Sequence, residues 1–282
     1  MTQALVLFGG LLVVGLTVYA FFIEPYRFQV SRVDIRFRDL PQSLDGLRIC
    51  HLSDTHTSKY GRLEARLEKL LAGIEADLCV ISGDLVRRRG GVAALARVLS
   101  AMNPRLGIFA VLGNGDCRVH LPMADLASMI EETGIRMLAN TRLTLDVGAS
   151  ALHVIGVDDP YLRRDDLTAA TSGLCGNGFK LLLAHGPDVL AKLRDGDADL
   201  VLAGHTHGGQ IRFPVIGPLW LHCRHHFGIS DGYFGPDALS GRVGASMDGI
   251  HLYVSRGLGT SGIPARFLCP PEIALVSLRR EV

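Results

Sequence analysis

Seven side chains that can bind metal ions or move protons fall in five short motifs along the chain. They are Asp54, His56, Asp84, Asn114, His185, His205 and His207. Mixed oxygen and imidazole ligands suit manganese, iron or zinc, with magnesium as a further option, whereas a closed structural zinc site would favour cysteines. Seven ligands are too many for one ion, so the set predicts two divalent metal ions that share a bridging carboxylate. Such a pair clamps a phosphoryl group and creates a nucleophile from water at neutral pH.

A buried strand precedes each motif, which places the motifs at strand ends. The predicted strands are Leu47–Leu52, Leu78–Ser82, Leu106–Leu112, Phe179–Ala184 and Leu200–Ala203. Helices are predicted over Arg62–Ala76, Gly91–Met102, Leu121–Thr133 and Val189–Arg194. Because open α/β sheets place their sites at the carboxyl ends of strands, we expect the seven side chains to converge there.

The second half of the chain is richer in strands. Thr141–Val147 and Ala151–Val157 predict a hairpin around a short turn. Ile250–Ser255 and Ile273–Leu278 predict two closing strands. The order, βαβα followed mostly by β, predicts an α/β fold of layered sheets covered by helices.

The five motifs, D-x-H, G-D, G-N-x-D, a lone H and G-H-x-H, resemble in type and order those of the calcineurin-like metallophosphoesterase superfamily, from about Leu47 to Leu278. The GHTHGGQ run and the CPPEI ending are similar to a bacterial, membrane-anchored YkuE/YaeI-like branch. The resemblance implies a four-layer αββα sandwich. It also implies a first metal on Asp54, His56 and His207, a second on Asn114, His185 and His205, and Asp84 as the bridge. Asp84, Asn114 and His205 would then act directly in catalysis.

Gly115 stands where the superfamily motif usually has a histidine, the residue expected to protonate the leaving oxygen. Losing a general acid typically costs about 10²–10⁴-fold in rate. Another histidine can replace it, with His120, His222, His225 and His226 as candidates. Alternatively, the leaving group needs no proton, or the domain is a metal- and phosphate-binding membrane sensor or scaffold with weak turnover. If the loss is a handicap, Gly115→His should raise activity.

Several other residues have two interpretations. Arg256 can meet a substrate phosphate or form a surface ion pair. His222 can bind substrate near the metals or belong to a solvated loop. Arg87-Arg88-Arg89 can be solvated or face a phosphate, and Asp158-Asp159-Pro160 can shape the pocket or simply form a turn.

The chain begins with an apolar segment, Ala4–Ile23, of 20 residues without a charge. This length spans the hydrocarbon layer as a helix, whereas a buried core helix rarely runs so far without a polar face. A cleaved signal peptide would need a basic start and a small-residue cleavage site, and neither is present. We therefore expect a transmembrane anchor over residues 1–26, a connecting segment over 27–45, and a phosphoesterase domain over 46–282.

The charges that flank this segment predict its orientation. Arg27, Arg32, Arg36 and Arg38 follow the helix, and no Lys or Arg precedes it. The positive-inside rule then predicts a single-pass protein of the cell inner membrane with its catalytic domain on the cytoplasmic side. The same arginines can also hold the domain against anionic headgroups.

Composition limits the partners. A net charge of +1 gives no indication of a nucleic-acid partner. The six cysteines have no framework spacing and are interpreted as reduced thiols. We expect the substrate to be a phosphorylated small molecule or lipid headgroup at the membrane lipid surface, attacked at phosphorus by metal-bound hydroxide. The resemblance suggests a nucleotide-linked lipid such as UDP-2,3-diacylglucosamine, hydrolysed at its pyrophosphate; a soluble phosphodiester or phosphoprotein is the alternative.

Overall fold

Strands and helices alternate in the first half of the chain and strands dominate the second. The computed structural model describes residues 2–174, 178–225 and 227–281. The helices are α1 Thr2–Val18, α2 Arg62–Leu71, α3 Gly91–Leu99, α4 Met123–Glu131, α5 Leu167–Thr171 and α6 Pro236–Val243. The strands are β1 Gln29–Phe37, β2 Arg48–Leu52, β3 Leu78–Ser82, β4 Ile108–Val111, β5 Arg136–Met137, β6 Thr141–Val147, β7 Ser150–Gly156, β8 Gly178–Leu183, β9 Leu200–Ala203, β10 Arg212–Phe213, β11 Gly217–Pro218, β12 Gly232–Phe234, β13 His251–Val254 and β14 Glu272–Arg280.

Two six-stranded sheets are formed by these described strands. The first has the order β1-β14-β2-β3-β4-β5 and the second β12-β13-β9-β8-β7-β6. Strands β2 to β5 run parallel in the first sheet, and β7, β8, β9 and β13 run parallel in the second. The carboxyl ends of the parallel strands therefore lie at one edge of each sheet.

Apolar side chains fill three layers around these sheets. Along β3, Leu78 and Val80 enter the core between the sheets, whereas Cys79 and Ile81 face α2, α3 and α4. A third cluster joins the outer face of the second sheet to α5 and α6. The result is the expected four-layer αββα sandwich. Both faces of each central strand are buried, which explains their continuous apolar runs.

The segment 27–45, expected to be only a connection, contains a strand. β1 pairs in parallel with β14 along its whole length and forms an edge of the first sheet. Its inward residues Ile35 and Phe37 are buried, and Asp34 and Arg36, which alternate with them, are exposed. This alternation is typical of a strand, but its arginines suggested the flank of a membrane helix. The helix predicted at 189–194 is instead a 3₁₀ turn over Pro187–Ala191.

The apolar N-terminal segment is helical and extends away from the sandwich. α1 continues through a π-helical turn, Tyr19–Ile23, and a 3₁₀ turn, Glu24–Tyr26. The combined helix is long and apolar enough to cross a membrane, and its apolar window is not buried against the domain. It is a candidate membrane span.

A buried histidine in β2 makes the fold sensitive to acid. His51 lies between the sheets, with its ring 6.2 Å from that of Tyr253 and Nε2 2.8 Å from Ser82 Oγ. Burial lowers the pKa of His51 from 6.5 to about 3. The unfolded chain therefore binds a proton between these pH values that the folded chain does not. Its neutral form contributes full stability above pH 6.5, and that contribution is lost as the pH falls toward 3.

We expect His51→Gln to unfold with a weaker pH dependence than the wild-type protein. The linkage amounts to about 2 kcal/mol of lost stability at pH 5 relative to pH 7, and glutamine cannot take up the proton. Thermal unfolding in detergent, followed by circular dichroism at both pH values, measures the difference. Ser82→Ala, which removes the hydrogen-bond partner but keeps the imidazole, should retain the acid sensitivity. Equal slopes for His51→Gln and wild type would contradict this assignment.

Candidate metal centre

The five motifs lie together at the edge where the parallel strands end. β2, β3 and β4 of the first sheet, and β8 and β9 of the second, each end directly before a motif. The sheets approach closely at this edge, because a Cβ built on Gly83 would lie 2.3 Å from Nδ1 of His185. Glycine at position 83 therefore allows the loops of the two sheets to meet.

Many of the candidate ligand residues have a left-handed backbone conformation, which sets the direction of their side chains. The residues with positive φ include Asp54 (51°), His56 (47°), Asp84 (53°), His205 (70°) and His207 (52°). A non-glycine residue pays about 1–2 kcal/mol for this conformation. Such strain persists only where the surrounding structure fixes it, and it concentrates at functional sites.

Asp54, His56 and His207 form the first group of potential ligands. The Nε2 atoms of the two histidines lie 3.3 Å apart, and their rings stack with centroids 5.2 Å apart. Oδ1 of Asp54 lies 3.4 Å from Nε2 of His207. One ligand atom from each residue lies within 4.8 Å of the others, which is a spacing that a single metal ion can bridge.

Asn114, His185 and His205 form the second group. Nε2 of His185 lies 3.0 Å from Oδ1 of Asn114 and 3.0 Å from Nδ1 of His205. Nδ1 of His185 donates to the carbonyl oxygen of Ser82 at 2.9 Å, which fixes the ring with Nε2 toward the site. Three nitrogen and oxygen ligands thus converge beside the first group.

Asp84 lies between the two groups. Its Oδ2 is 3.4 Å from Nε2 of His56, and its Oδ1 is 3.4 Å from Nε2 of His185. The backbone N–H of Gly115 donates to Oδ1. Each carboxylate oxygen therefore faces a different group, which is the arrangement that a bridging ligand needs.

The buried carboxylates require a positive charge among them. Burial, opposed by the charge of His185, raises the pKa of Asp54 from 3.8 to about 6. Burial also acts to raise the pKa of Asp84, but the charges of His185 and His56 lower it overall. Burial acts to lower the pKa of His185, but Asp84 and Asp54 raise it to about 9. A proton on His185 supplies the positive charge here, and a divalent cation would supply it instead.

The other imidazoles are suited to coordinate a cation. Burial lowers the pKa of His56 to about 4, and burial lowers those of His205 and His207 well below 6.5. Neutral imidazole is the metal-binding form. Among the described residues, Asp54 Oδ1, His205 Nε2 and His207 Nδ1 are buried without a hydrogen-bond partner. Of these, Asp54 Oδ1 faces Nε2 of His207 within the first group, and an unpaired buried carboxylate oxygen of this kind fits a divalent metal ion.

Residues 47–209 match the sequence family described as calcineurin-like phosphoesterase. The chain belongs to this family. It is therefore a phosphoester hydrolase of a family that uses divalent metals, which favours hydrolysis over a sensor or scaffold role. The family match ends at the GHTHGGQ loop, whereas the described fold continues through β14.

Curated relatives cover nearly the whole chain. The metallophosphoesterase YkuE of Bacillus subtilis is 31% identical over 97% of this chain and 95% of its own length. Phosphodiesterase YaeI of Escherichia coli is 28% identical over 92% of each chain. UDP-2,3-diacylglucosamine pyrophosphatase LpxG of Chlamydia muridarum is 25% identical over 92% of each chain. The resemblance in the motifs is thus accompanied by similarity along the full length.

A buried arginine, Arg266, supports the metallophosphoesterase site and was not identified from the sequence. Its guanidinium is fully buried and donates to the carbonyl oxygens of Arg256, Gly257, Gly259 and Cys269. These residues belong to the segment 255–271 between β13 and β14, here called the closing loop. The only sequence signal is a lone arginine in an apolar stretch.

The closing loop packs directly on the first ligand group. The N–H of Gly259 donates to the carbonyl oxygen of Asp54 at 2.7 Å, and that of Leu258 donates to Ser53 at 3.0 Å. A Cβ on Gly257 would lie 2.8 Å from the Asp54 Cβ. Arg266 therefore helps position Asp54 through the loop backbone.

The structure places Arg256 in an ion pair, which is one of its two interpretations from the sequence. Its guanidinium pairs with Glu272 Oε1 at 3.2 Å and with Gln29 Oε1 at 3.0 Å, and only 18% of its side chain is exposed. Both contacts are made by Nη2, which is thereby directed toward β1 and β14. The ion-pair interpretation is the one that the geometry supports. Arg266, rather than Arg256, occupies the interior of the closing loop.

Among the described candidate replacement histidines, His222 is the one whose ring lies near a ligand. Its ring is 6.4 Å from that of His205, at the exposed mouth of the site. His120 is exposed, and His225 is exposed and stacks on Phe227 with centroids 5.5 Å apart. His226 lies outside the described residues, as does Cys175; the other five cysteines are free.

Gly115 lies directly against the carboxylate of Asp84, a contact that the motif alone did not reveal. A Cβ at this position would lie 2.7 Å from Oδ2 of Asp84 and 2.8 Å from its Oδ1. A histidine there would displace the carboxylate that lies between the two ligand groups. Gly115→His is therefore expected to raise activity only if the carboxylate of Asp84 can shift to make room for the new side chain.

Further residues at the mouth were missed or left undecided. Partial burial lowers the pKa of His222, and the nearby positive charge of Arg118 lowers it further. The ring of Tyr161 lies 4.7 Å from that of His205. Burial raises the pKa of Asp159 to about 6, and its Oδ2 is buried without a partner among the described residues. A buried Asp159 near the site favours pocket shaping over a plain surface turn.

We expect Arg266→Lys to destabilise the protein by about 3 kcal/mol, the upper range for leaving buried polar groups unpaired. Lysine keeps the charge but cannot reach all four carbonyl oxygens. Manganese affinity should fall together with the melting temperature, because the loop positions Asp54. Calorimetric titration and thermal unfolding measure both. The matched control is Arg242→Lys, which loses an exposed arginine that also donates to carbonyl oxygens. Wild-type stability and manganese affinity in Arg266→Lys would exclude this positioning role.

Proposed function

We propose that the chain is a membrane-anchored hydrolase of a phosphodiester or pyrophosphate bond with a dinuclear metal centre. Asp54, His56 and His207 would hold one ion, Asn114, His185 and His205 would hold the other, and Asp84 would bridge them. Manganese, iron or zinc suit this mixed set best, and magnesium is possible. The observation that carries the proposal is the position of Asp84, whose two oxygens lie 3.4 Å from histidines of different groups.

The protein groups around the centre suit an anionic substrate. When bound, such a metal pair supplies an activated water and neutralises phosphoryl charge. Arg118 and Arg87 add positive charge at the mouth, because the charge of Arg118 reaches both Arg87 and His222. Cationic groups of this kind attract and orient phosphate oxygens.

An aromatic wall stands on the same side. The rings of Tyr161 and His222 flank His205, and the ring of Trp220 lies 6.1 Å from that of His222. Aromatic faces suit apolar or nucleobase groups that are linked to the phosphate. A lipid-linked nucleotide combines both kinds of group.

The N-terminal helix suggests where the substrate resides. Its base is fixed to the domain, because the buried carboxylate of Glu24 accepts the N–H groups of Leu268 and Cys269. An anchored active site has access to substrates in or on the bilayer. UDP-2,3-diacylglucosamine, the substrate in the name of the relative LpxG, is the specific compound we propose. The arginines after α1 favour a cytoplasmic domain at the inner membrane.

The purified, manganese-loaded chain should hydrolyse a generic aryl phosphodiester, and Asp84→Asn should reduce kcat/KM on the order of 10²–10³-fold, the usual cost of losing transition-state electrostatics. The matched control is Asp146→Asn, which neutralises an exposed aspartate in β6. Metal analysis should give two ions per wild-type chain and fewer in Asp84→Asn. Equal activity in Asp84→Asn and wild type would exclude the proposed bridge.

A second test concerns the proton donor. If His222 protonates the leaving oxygen, His222→Gln should slow hydrolysis of an alkyl phosphodiester by about 10²-fold and leave a nitrophenyl ester nearly unaffected. The nitrophenolate leaves without a proton, so the contrast separates acid catalysis from binding. His225→Gln is the matched control on the same loop. A uniform loss on both substrates would indicate binding, and no loss on either would remove His222 from the mechanism.

A further inference from the structure

Large exposed apolar side chains are concentrated in two segments of the domain. Among the described residues after Ile23, all of them except Tyr233 fall within 213–220 or 263–268. Val215 is 108% exposed, Ile216 72% and Trp220 69%. An exposed cluster of this size on a soluble domain marks an interaction surface.

The two segments form one continuous surface. The N–H of Arg212 donates to the carbonyl oxygen of Phe267, and the N–H of Phe267 donates to that of Gln210. The Gln210 side chain donates to the carbonyl oxygen of Ile263 at 2.8 Å. The rings of Phe213 and Phe267 lie 5.8 Å apart. The hairpin β10–β11 and the closing loop are therefore attached to each other.

This surface adjoins the base of the candidate membrane helix. The ring of Phe267 meets that of Tyr19 edge-on with centroids 6.3 Å apart. The N–H of Arg266 donates to the carbonyl oxygen of Ala20 at 2.9 Å, and that of Leu268 donates to Glu24 at 2.9 Å. Apolar exposure thus continues from the helix directly onto the domain.

We propose that this surface docks into the interfacial region of the lipid bilayer. It comprises Phe213, Val215, Ile216, Trp220, Ile263 and Leu268 and is called the docking face below. The inference rests on the proposed membrane anchoring of α1, which brings the docking face to the depth where its apolar side chains leave water. Tryptophan beside short apolar loops is typical of such interfaces.

The backbone of the docking face and the charges near it also fit insertion into the lipid bilayer interface. Val215 has a left-handed φ of 70° although it is β-branched, and its side chain contacts solvent only. The left-handed backbone holds this apolar side chain in water, and burial of the side chain in lipid would be favourable. Arg87 donates to the carbonyl oxygen of Thr260, so the exposed Arg87-Arg88-Arg89 run lies beside the closing loop. Cations at that position can contact anionic headgroups.

Docking would also orient the metal centre. Trp220, His222 and His205 form a row of rings with centroid separations of 6.1 Å and 6.4 Å. The mouth of the site therefore opens next to the docking face. A phosphate group at headgroup depth would reach the ligands without leaving the membrane surface.

The experiment uses the only tryptophan of the sequence, Trp220, as its reporter. The full chain is reconstituted into vesicles of phosphatidylcholine and phosphatidylglycerol, and flotation selects the membrane-bound protein. We expect blue-shifted Trp220 emission and strong quenching by lipids brominated near the headgroup, with weaker quenching by lipids brominated at the chain end. Emission at the water-exposed wavelength without bromine quenching, in protein that floats, would overturn the docking face.

Matched variants separate docking from a general charge effect. Val215→Asp with Ile216→Asp should abolish most of the quenching, because aspartate tolerates the left-handed turn but resists burial. The control, Ala149→Asp with Ala245→Asp, adds the same charge at exposed positions before β7 and β13, at the opposite ends of their strands from the metal centre. The control should be quenched like the wild-type protein. Equal quenching of both double variants would contradict the proposal.

Two parallel readings distinguish failure of this inference from failure of the proposed function. Hydrolysis of a soluble aryl phosphodiester should be unchanged in Val215→Asp with Ile216→Asp, since the hairpin contributes no metal ligand. Absent quenching with intact hydrolysis and flotation would overturn docking alone. Quenching without metal-dependent hydrolysis would support docking and overturn the proposed chemistry. Failure of the wild-type chain to float would overturn both anchoring and docking.

Discussion

The rest of the structure depends on one constraint, which is the crowding of the seven candidate metal ligands at the buried edge where the parallel strands end. Two carboxylates, an amide oxygen and four imidazoles face one another over distances of 3.0–3.4 Å. Such groups repel or remain unsatisfied unless a positive charge lies among them. Left-handed backbone at Asp54, Asp84 and His205 adds local strain. The central sheets must be rigid to hold this arrangement, and their strands, buried on both faces, meet that requirement.

The closing loop joins the ligand edge to the base of the helix. Arg266 donates hydrogen bonds to carbonyl oxygens of the loop, and the N–H of Gly259 donates to the carbonyl oxygen of Asp54. On the other side of the loop, the carboxylate of Glu24 accepts a hydrogen bond from the N–H of Leu268. Glu272 at the start of β14 continues this network by accepting from Arg256 and from the hydroxyl group of Tyr253. Displacement of the helix base would therefore be transmitted to the first ligand group through a few hydrogen bonds.

The sequence predicted the parts of this structure that depend on short-range pattern. Buried strands followed by Asp, Asn or His located the metal edge, because strand ends and ligand types are both visible locally. β1 was missed because its arginines have two explanations and its pairing with β14 is distant in sequence. The roles of Arg256 and Arg266 were also not accessible, since composition does not show which arginine is buried. The close approach of Gly115 to Asp84 likewise depends on a loop that follows another strand.

Gly115 and the docking face bear on the same question, which is how the leaving group is protonated. With glycine at position 115, the GNGD loop supplies no general acid there, so the proton must come from elsewhere or be unnecessary. His222 lies between His205 and Trp220, on the side of the site that adjoins the docking face. An acid there would act on a leaving group oriented toward the bilayer.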